Sequence, residues 1–295
     1  MPRPELGPYV LPWLPPGRLV PVPDRGEFFV RVHEHADPSA PVLLLLHGWT
    51  ASADLQFFTG YRALAERWSF VAIDHRGHGR GLRTGEPFSL VDAADDAAAV
   101  VRALGLEQVV PVGFSMGGPI SMYLTRRHRE LVRALIVQAT AMEWRRARRD
   151  RLSWYGLPIL GAILRSWWFP RYSDRLVARM IPTGHELEPF LPWILGEMRR
   201  GDHQAIIEAG RALRHHDASD WAHELGVPAG VLLTTRDRLV KPRKQRAMAI
   251  ELDAVVRELR DDHFVTMTDP AGYSAATVEL IEAVLAGSTS TSVSL

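Results

Sequence analysis

The chain has no cysteine, which excludes a disulfide framework, a thiolate metal site and a cysteine nucleophile. Lysine is nearly absent as well: Lys241 and Lys244 stand against a background of arginine. With abundant alanine, that bias reflects genomic base composition more than function. An excess of one charge is also missing, since 35 basic and 34 acidic residues leave a formal net charge of +1. No global field therefore draws the chain to nucleic acid or to anionic surfaces. No segment approaches the roughly 18 uninterrupted apolar residues that a transmembrane helix needs. The N-terminal stretch Met1-Pro2-Arg3-Pro4-Glu5-Leu6-Gly7-Pro8 is broken by proline and does not read as a signal peptide. The expectation is a soluble cytoplasmic protein with no integral membrane segment. The tail, residues 288–295, is small and polar and is expected to be disordered.

What is present is ample apolar material, 46% of 295 residues, enough for one large α/β domain with an insertion. Short continuous apolar runs such as Val42-Leu43-Leu44-Leu45-Leu46 and Phe70-Val71-Ala72-Ile73 are the mark of strands buried on both faces. The reading begins with two strands, Arg18 to Pro23 and Phe28 to Glu34, paired antiparallel at one edge. Strand 42–46, helix 55–67, strand 70–74, helix 90–104, strand 109–114, helix 116–127 and strand 134–139 follow. Such alternation predicts a mostly parallel sheet with helices on both faces.

The run Val109-Val110-Pro111-Val112 leads into Gly113-Phe114-Ser115-Met116-Gly117, a Gly-x-Ser-x-Gly at a strand-to-helix corner. A serine on so sharp a corner adopts strained backbone angles, and the flanking Gly113 and Gly117 allow the close approach that the corner needs. Ser115 Oγ would stand free at the end of a strand, with the Met116 N–H aimed at charge developing beside it. Taken alone, five residues also fit a structural glycine-rich turn.

The order of elements resembles the α/β-hydrolase family: a strand ending in His47-Gly48-Trp49, a strand ending in Asp74-His75-Arg76-Gly77-His78-Gly79, then the elbow at Ser115. The resemblance implies an eight-stranded, mostly parallel sheet and a triad in the chain order serine, acid, histidine. It puts a second oxyanion donor on the Trp49 amide, or on that of Thr50, and gives His47 and Gly48 a part in shaping the turn. The acid falls on Asp237, after the run Gly230 to Thr235 and before Pro242. The base falls on His263, after Val255 to Leu259. An Asp in that setting is often only a helix cap. Some members carry the acid after the strand that follows the elbow, which here makes Glu143 the runner-up. Asp261 and Asp262 read as loop and capping residues. The serine usual after the Asp-x-Arg-Gly-x-Gly turn is replaced by Arg80, a departure expected to touch packing more than chemistry.

After Thr140 the pattern changes until Gly226-Val227-Pro228. Residues 1–140 and 226–287 are read as the core, and 141–225 as an inserted helical cap. The insertion holds Trp144, Trp154, Trp167, Trp168, Trp193 and Trp221, six of the nine tryptophans. These either line an apolar substrate pocket or join the cap to the core. The basic run Arg145-Arg146-Ala147-Arg148-Arg149-Asp150-Arg151 beside Trp167-Trp168-Phe169 permits peripheral lipid contact, though such runs are more often solvated helix faces. His203 and His215-His216 lack ligand spacing and read as surface. No metal or cofactor is expected.

A serine at the elbow argues against the dehalogenases and epoxide hydrolases of this fold, which use aspartate there. The expected function is a serine carboxylesterase acting on a small, hydrophobic ester. Carbon–carbon bond hydrolysis, cofactor-free perhydrolysis and acyl transfer are alternatives on the same triad. A noncatalytic ligand-binding member is the alternative outside enzymes.

Overall fold

Apolar runs too short for helices and bounded by turn residues can satisfy their backbone only in a sheet covered on both sides. In the structure, a computed structural model describing residues 8–144, 174–175, 177 and 179–290, the last three by their backbone alone, these runs form one sheet. Its strands are β1 (Gly17–Val22), β2 (Gly26–His33), β3 (Val42–Leu46), β4 (Ser69–Ile73), β5 (Val110–Phe114), β6 (Leu135–Gln138), β7 (Ala229–Thr234) and β8 (Val255–Leu259). The spatial order is β1-β2-β4-β3-β5-β6-β7-β8. The β1–β2 hairpin and the β2–β4 pair are antiparallel, and the pairs from β4 through β8 are parallel. The chain steps from β3 outward to β4 and then back across β3 to β5. That reversal opens a crevice at the carboxyl ends of β3 and β5, where doubly wound sheets bind ligands.

The pleat of β3 divides the core. Leu43 and Leu45 join one apolar cluster with Phe57, Tyr61, Val112 and Ile281, while Leu44 and Leu46 join another with Ala97, Val100, Ile120 and Leu124. The helices on these faces are α1 (Ala53–Phe57), α2 (Tyr61–Ala65), α3 (Leu90–Ala103) and α4 (Gly117–Arg127). Beyond β6 come α5 (Leu191–Glu197) and α6 (His203–His215) of the insertion, then α7 (Pro242–Glu251), α8 (Val265–Thr268) and α9 (Pro270–Ser290). The Ser89 hydroxyl caps α3 by accepting from the Asp92 amide (3.3 Å), and Gly105, at φ 69°, follows its end. Among the described residues no helix is long and apolar enough to cross a membrane.

Three expectations change. The single helix over 55–67 is two short helices, because the chain turns at Thr59-Gly60, the Gly60 amide bonding Phe57 O at 2.9 Å. That turn seats Phe58 against Trp193 of α5, ring centroids 4.9 Å apart. The tail expected to be disordered from residue 288 continues α9 in its backbone to Ser290, and 291–295 lie outside the described residues. His216 is not a surface residue: it is 3% exposed, packed against Tyr123 and Trp221. Trp193 and Trp221 are buried as well, joining the insertion to the core. The basic run 145–151 and Trp154, Trp167 and Trp168 lie outside the described residues.

The stalks of the insertion meet where they leave the sheet. Glu143 forms an isolated antiparallel bridge with Asp217, and the Ala218 amide donates to Met142 O at 2.8 Å. Ala218, Trp221 and Leu225 then pack with Leu135, Val137 and Val231 of β6 and β7.

Candidate active site

β5 ends in Phe114, and the next residue, Ser115, has φ 50°. For a residue with a Cβ this left-handed region costs about 1–2 kcal/mol, and neighbouring bonds hold it. The Ser115 amide donates to Gln138 O at 2.9 Å, and its carbonyl accepts from the Gly118 amide (2.9 Å) and Thr140 Oγ1 (2.7 Å). A Cβ at Gly113 would collide with the Gly117 carbonyl, and one at Gly117 with the Leu46 carbonyl. The glycines are therefore steric requirements of the corner. Met116 precedes the first turn of α4, where amides have no intrahelical acceptor.

The acid and the base come from loops after β7 and β8, which the Arg236 amide ties together through Asp261 O (2.9 Å). Asp237 Oδ1 accepts from the Leu239 and Val240 amides, each at 2.8 Å. Its Oδ2 accepts from Thr234 Oγ1 at 2.9 Å and lies 2.8 Å from His263 Nδ1. Gln245 adds a longer bond to Oδ2, 3.3 Å. With the carboxylate accepting throughout, Nδ1 of His263 carries the proton and donates, which leaves Nε2 as an acceptor. Nε2 lies 3.0 Å from Ser115 Oγ. The Asp237 side chain is fully enclosed, while His263 retains 13% exposure. The runner-up acid, Glu143, lies elsewhere, its carboxylate 2.9 Å from Lys244 Nζ. Asp261 and Asp262 accept from Thr268 Oγ1 and the Phe264 amide, loop roles as expected.

The loop after β3 runs alongside the elbow. A Cβ at Gly48 would come within 3.3 Å of Ser115 Cβ, and Thr50, at φ 65°, turns the chain away. His47 is buried and shapes this turn, its Nδ1 2.8 Å from Gly48 O and its Nε2 accepting from the His75 amide at 3.0 Å. Burial, together with the neighbouring His75 and His78, holds His47 well below the usual histidine range. Burial lowers His75 to about 3 and His78 to about 4. All three rings are thus neutral near pH 7. Among the described residues no group of three or more His, Cys, Asp or Glu side chains is arranged to hold a metal ion.

A buried ionic chain lies beneath this loop, and no motif in the sequence announces it. Asp74 accepts from the Ala53 amide (2.6 Å) and the Arg80 amide (2.7 Å), while burial raises its carboxyl to about 6. The Arg80 guanidinium grips Glu197 of α5 at 2.7 and 3.0 Å and reaches Asp54 at 3.3 Å. Asp54 in turn accepts three contacts from the Arg31 guanidinium at 2.8–3.1 Å. The only sign of this in the sequence was the departure at position 80 from the usual serine. Its acidic partner lies 117 residues away.

Comparison with known proteins agrees with the architecture. The family model for the α/β hydrolase fold matches residues 41–157. A pimeloyl-[acyl-carrier protein] methyl ester esterase of Neisseria meningitidis is 29% identical over 203 residues, 68% of this chain and 76% of that protein. A bifunctional esterase/perhydrolase of Acinetobacter calcoaceticus is 39% identical over 94 residues, 30% of this chain and 32% of that one. Among solved structures, an esterase from Exiguobacterium antarcticum superposes with a TM-score of 0.77 at 18% identity, covering 90% of this chain and all of that one (100%). By strand order and structural likeness the chain has the α/β-hydrolase fold, and its residues 41–157 match that family's model.

Proposed function

We propose that the protein is a serine hydrolase that cleaves a carboxylic ester with a hydrophobic acyl or alcohol portion. The observation that carries this reading is the unbroken relay of Ser115 Oγ, His263 Nε2 at 3.0 Å, and His263 Nδ1 to Asp237 Oδ2 at 2.8 Å. A serine hydroxyl is a weak nucleophile near pH 7 and requires a base within hydrogen-bond reach. In this reading His263 takes the Ser115 proton as Oγ attacks the ester carbonyl, and Asp237 stabilises the imidazolium. The Met116 and Trp49 amides receive the oxyanion. Collapse expels the alcohol, protonated by His263, and leaves an acyl-enzyme. Water activated by the same histidine then releases the acid and regenerates Ser115. The insertion over 141–225 acts as the cap, and its apolar side chains meet the substrate. Trp193 and Ile194 of α5 share a cluster with Phe114 and Val265, the neighbours of Ser115 and His263. The esterase named among the relatives supports the ester as substrate.

The test is hydrolysis of p-nitrophenyl esters from acetate to palmitate by the wild type and by Ser115→Ala. Loss of roughly 10⁴-fold or more in the variant is expected. Turnover unaffected by the substitution would sink the mechanism.

A second reading has one observation in its favour, the likeness to the Acinetobacter esterase/perhydrolase. Hydrogen peroxide would then replace water in deacylation and the product would be a peracid. Peracid formation from acetate and peroxide, abolished in Ser115→Ala, would separate it from simple hydrolysis.

A further inference from the structure

The loop from Gly48 to Ser52 is tied to the insertion at both ends. At one end the Trp49 indole N–H donates to Ile206 O of α6 at 2.7 Å, and the ring packs on Ile206 and Ile207. At the other, Ser52 Oγ donates to Glu197 Oε2 of α5 at 3.4 Å while accepting from the Leu55 amide at 3.1 Å, so it both caps α1 and touches the insertion. Glu197 cannot drift from that position easily. Its carboxylate is 1% exposed and is held by both guanidinium nitrogens of Arg80, whose own amide is fixed on Asp74. Asp74 also holds the Ala53 amide at 2.6 Å, so Arg80, Asp74 and the start of α1 form one clamp around the loop. Between the two ties lies Thr50 at φ 65°, and directly before them Gly48 packs against Ser115. A left-handed non-glycine residue persists only where its surroundings over-determine it.

We infer that Arg80 and the Trp49 side chain are positioning residues that make the oxyanion hole depend on the docked insertion. The inference rests on the serine-hydrolase reading above. Oxyanion donors act by preorganisation, and a shift of a fraction of an ångström in the residue 49 amide weakens transition-state binding far more than ground-state binding. With α5 and α6 seated, the amide is held beside the elbow. With either tie cut, the strained turn at Thr50 relaxes and the donor moves away.

The test uses the full chain with two variants. Trp49→Phe keeps the backbone amide and an aromatic ring on Ile206 and Ile207 but loses the indole donor. Arg80→Met frees Glu197 from its bidentate partner. The first readout is kcat and KM on p-nitrophenyl acetate, too small to need the insertion's apolar face. The second is the affinity for phenylboronic acid. Ser115 Oγ bonds to its boron, the serine proton passes to His263, and a boronate oxygen takes the oxyanion's place. The expected result for each variant is a fall in kcat of about tenfold or more, an equal fall in boronate affinity, and a KM within about twofold of wild type. Unchanged kcat and boronate affinity in folded Trp49→Phe would overturn the inference, whatever Arg80→Met does to stability. A loss confined to KM would overturn it too, assigning the ties to substrate enclosure alone. Ser115→Ala in the same series separates the two readings: if it retains activity, the serine mechanism itself fails.

Discussion

Two carboxylates follow strand ends near the elbow, and their partners differ. Asp237 spends both oxygens on the Leu239 and Val240 amides, Thr234 and His263. Glu143 faces Lys244 at 2.9 Å. Asp237→Asn is expected to lower kcat by about 10³–10⁴, because an amide at that position favours the wrong histidine tautomer. Glu143→Gln should leave kcat within about twofold of wild type. Steady-state kinetics on p-nitrophenyl butyrate, with circular dichroism to verify folding, checks both. Ser115, Asp237 and His263 were legible in the sequence because the first two follow apolar strands, the third follows an alternating one, and the three occur in the order of the family that the chain resembles. Arg80 was legible only as an oddity. A salt bridge between residues 80 and 197 leaves no local pattern, since neither periodicity nor turn chemistry links positions so far apart.

At the scale of elements, the elbow and the helix ends separate two uses of glycine. A Cβ at Gly117 meets the Leu46 carbonyl, whereas at Gly105, with φ 69°, nothing lies within 4 Å. Gly117→Ala is therefore expected to destabilise by about 3 kcal/mol or more, through backbone displacement between β3 and α4. Gly105→Ala should cost only about 1–2 kcal/mol, the price of a left-handed alanine. Urea denaturation of the two variants compares them directly. The strands were legible within about two residues, most closely the buried parallel ones, which are continuous apolar runs. The break between α1 and α2 was not. Its cause is the seat for Phe58 against Trp193, a residue of the insertion that local sequence cannot register.

For the whole molecule, buried histidines set the response to acid. His75 is lowered to about 3, and His78 and His216 to about 4, all by burial, while His47 is held well below its usual range by the same cause. Between those values and about 6.5 the unfolded chain binds protons that the native state refuses, so stability falls as pH drops through that window. Each such proton is worth about 1.4 kcal/mol per pH unit. Asp74, raised to about 6, works in the opposite sense between 3.8 and about 6, because there the native state binds the extra proton. Four groups against one leave a net loss on acidification, read as a falling melting temperature from pH 7.5 to pH 5. His216→Phe tests the cause at one site. Among the described residues neither ring nitrogen of His216 has a hydrogen-bond partner, and its neighbours are Tyr123 and Trp221. The variant should melt with a shallower dependence on pH than wild type.

The sequence by itself determined the alternation of strands and helices and the glycine-framed elbow, because these rest on local physics: apolar runs that must be covered and glycines where no Cβ fits; the order of the candidate triad came from the resemblance to the α/β-hydrolase family. Tertiary structure alone decided that Asp237, not Glu143, meets His263. It alone bent α1 away from α2 and buried His216. It also joined Arg80 and Trp49 to the insertion. Those outcomes depend on contacts between distant segments, whose geometry exists only after the sheet has brought its strand ends together.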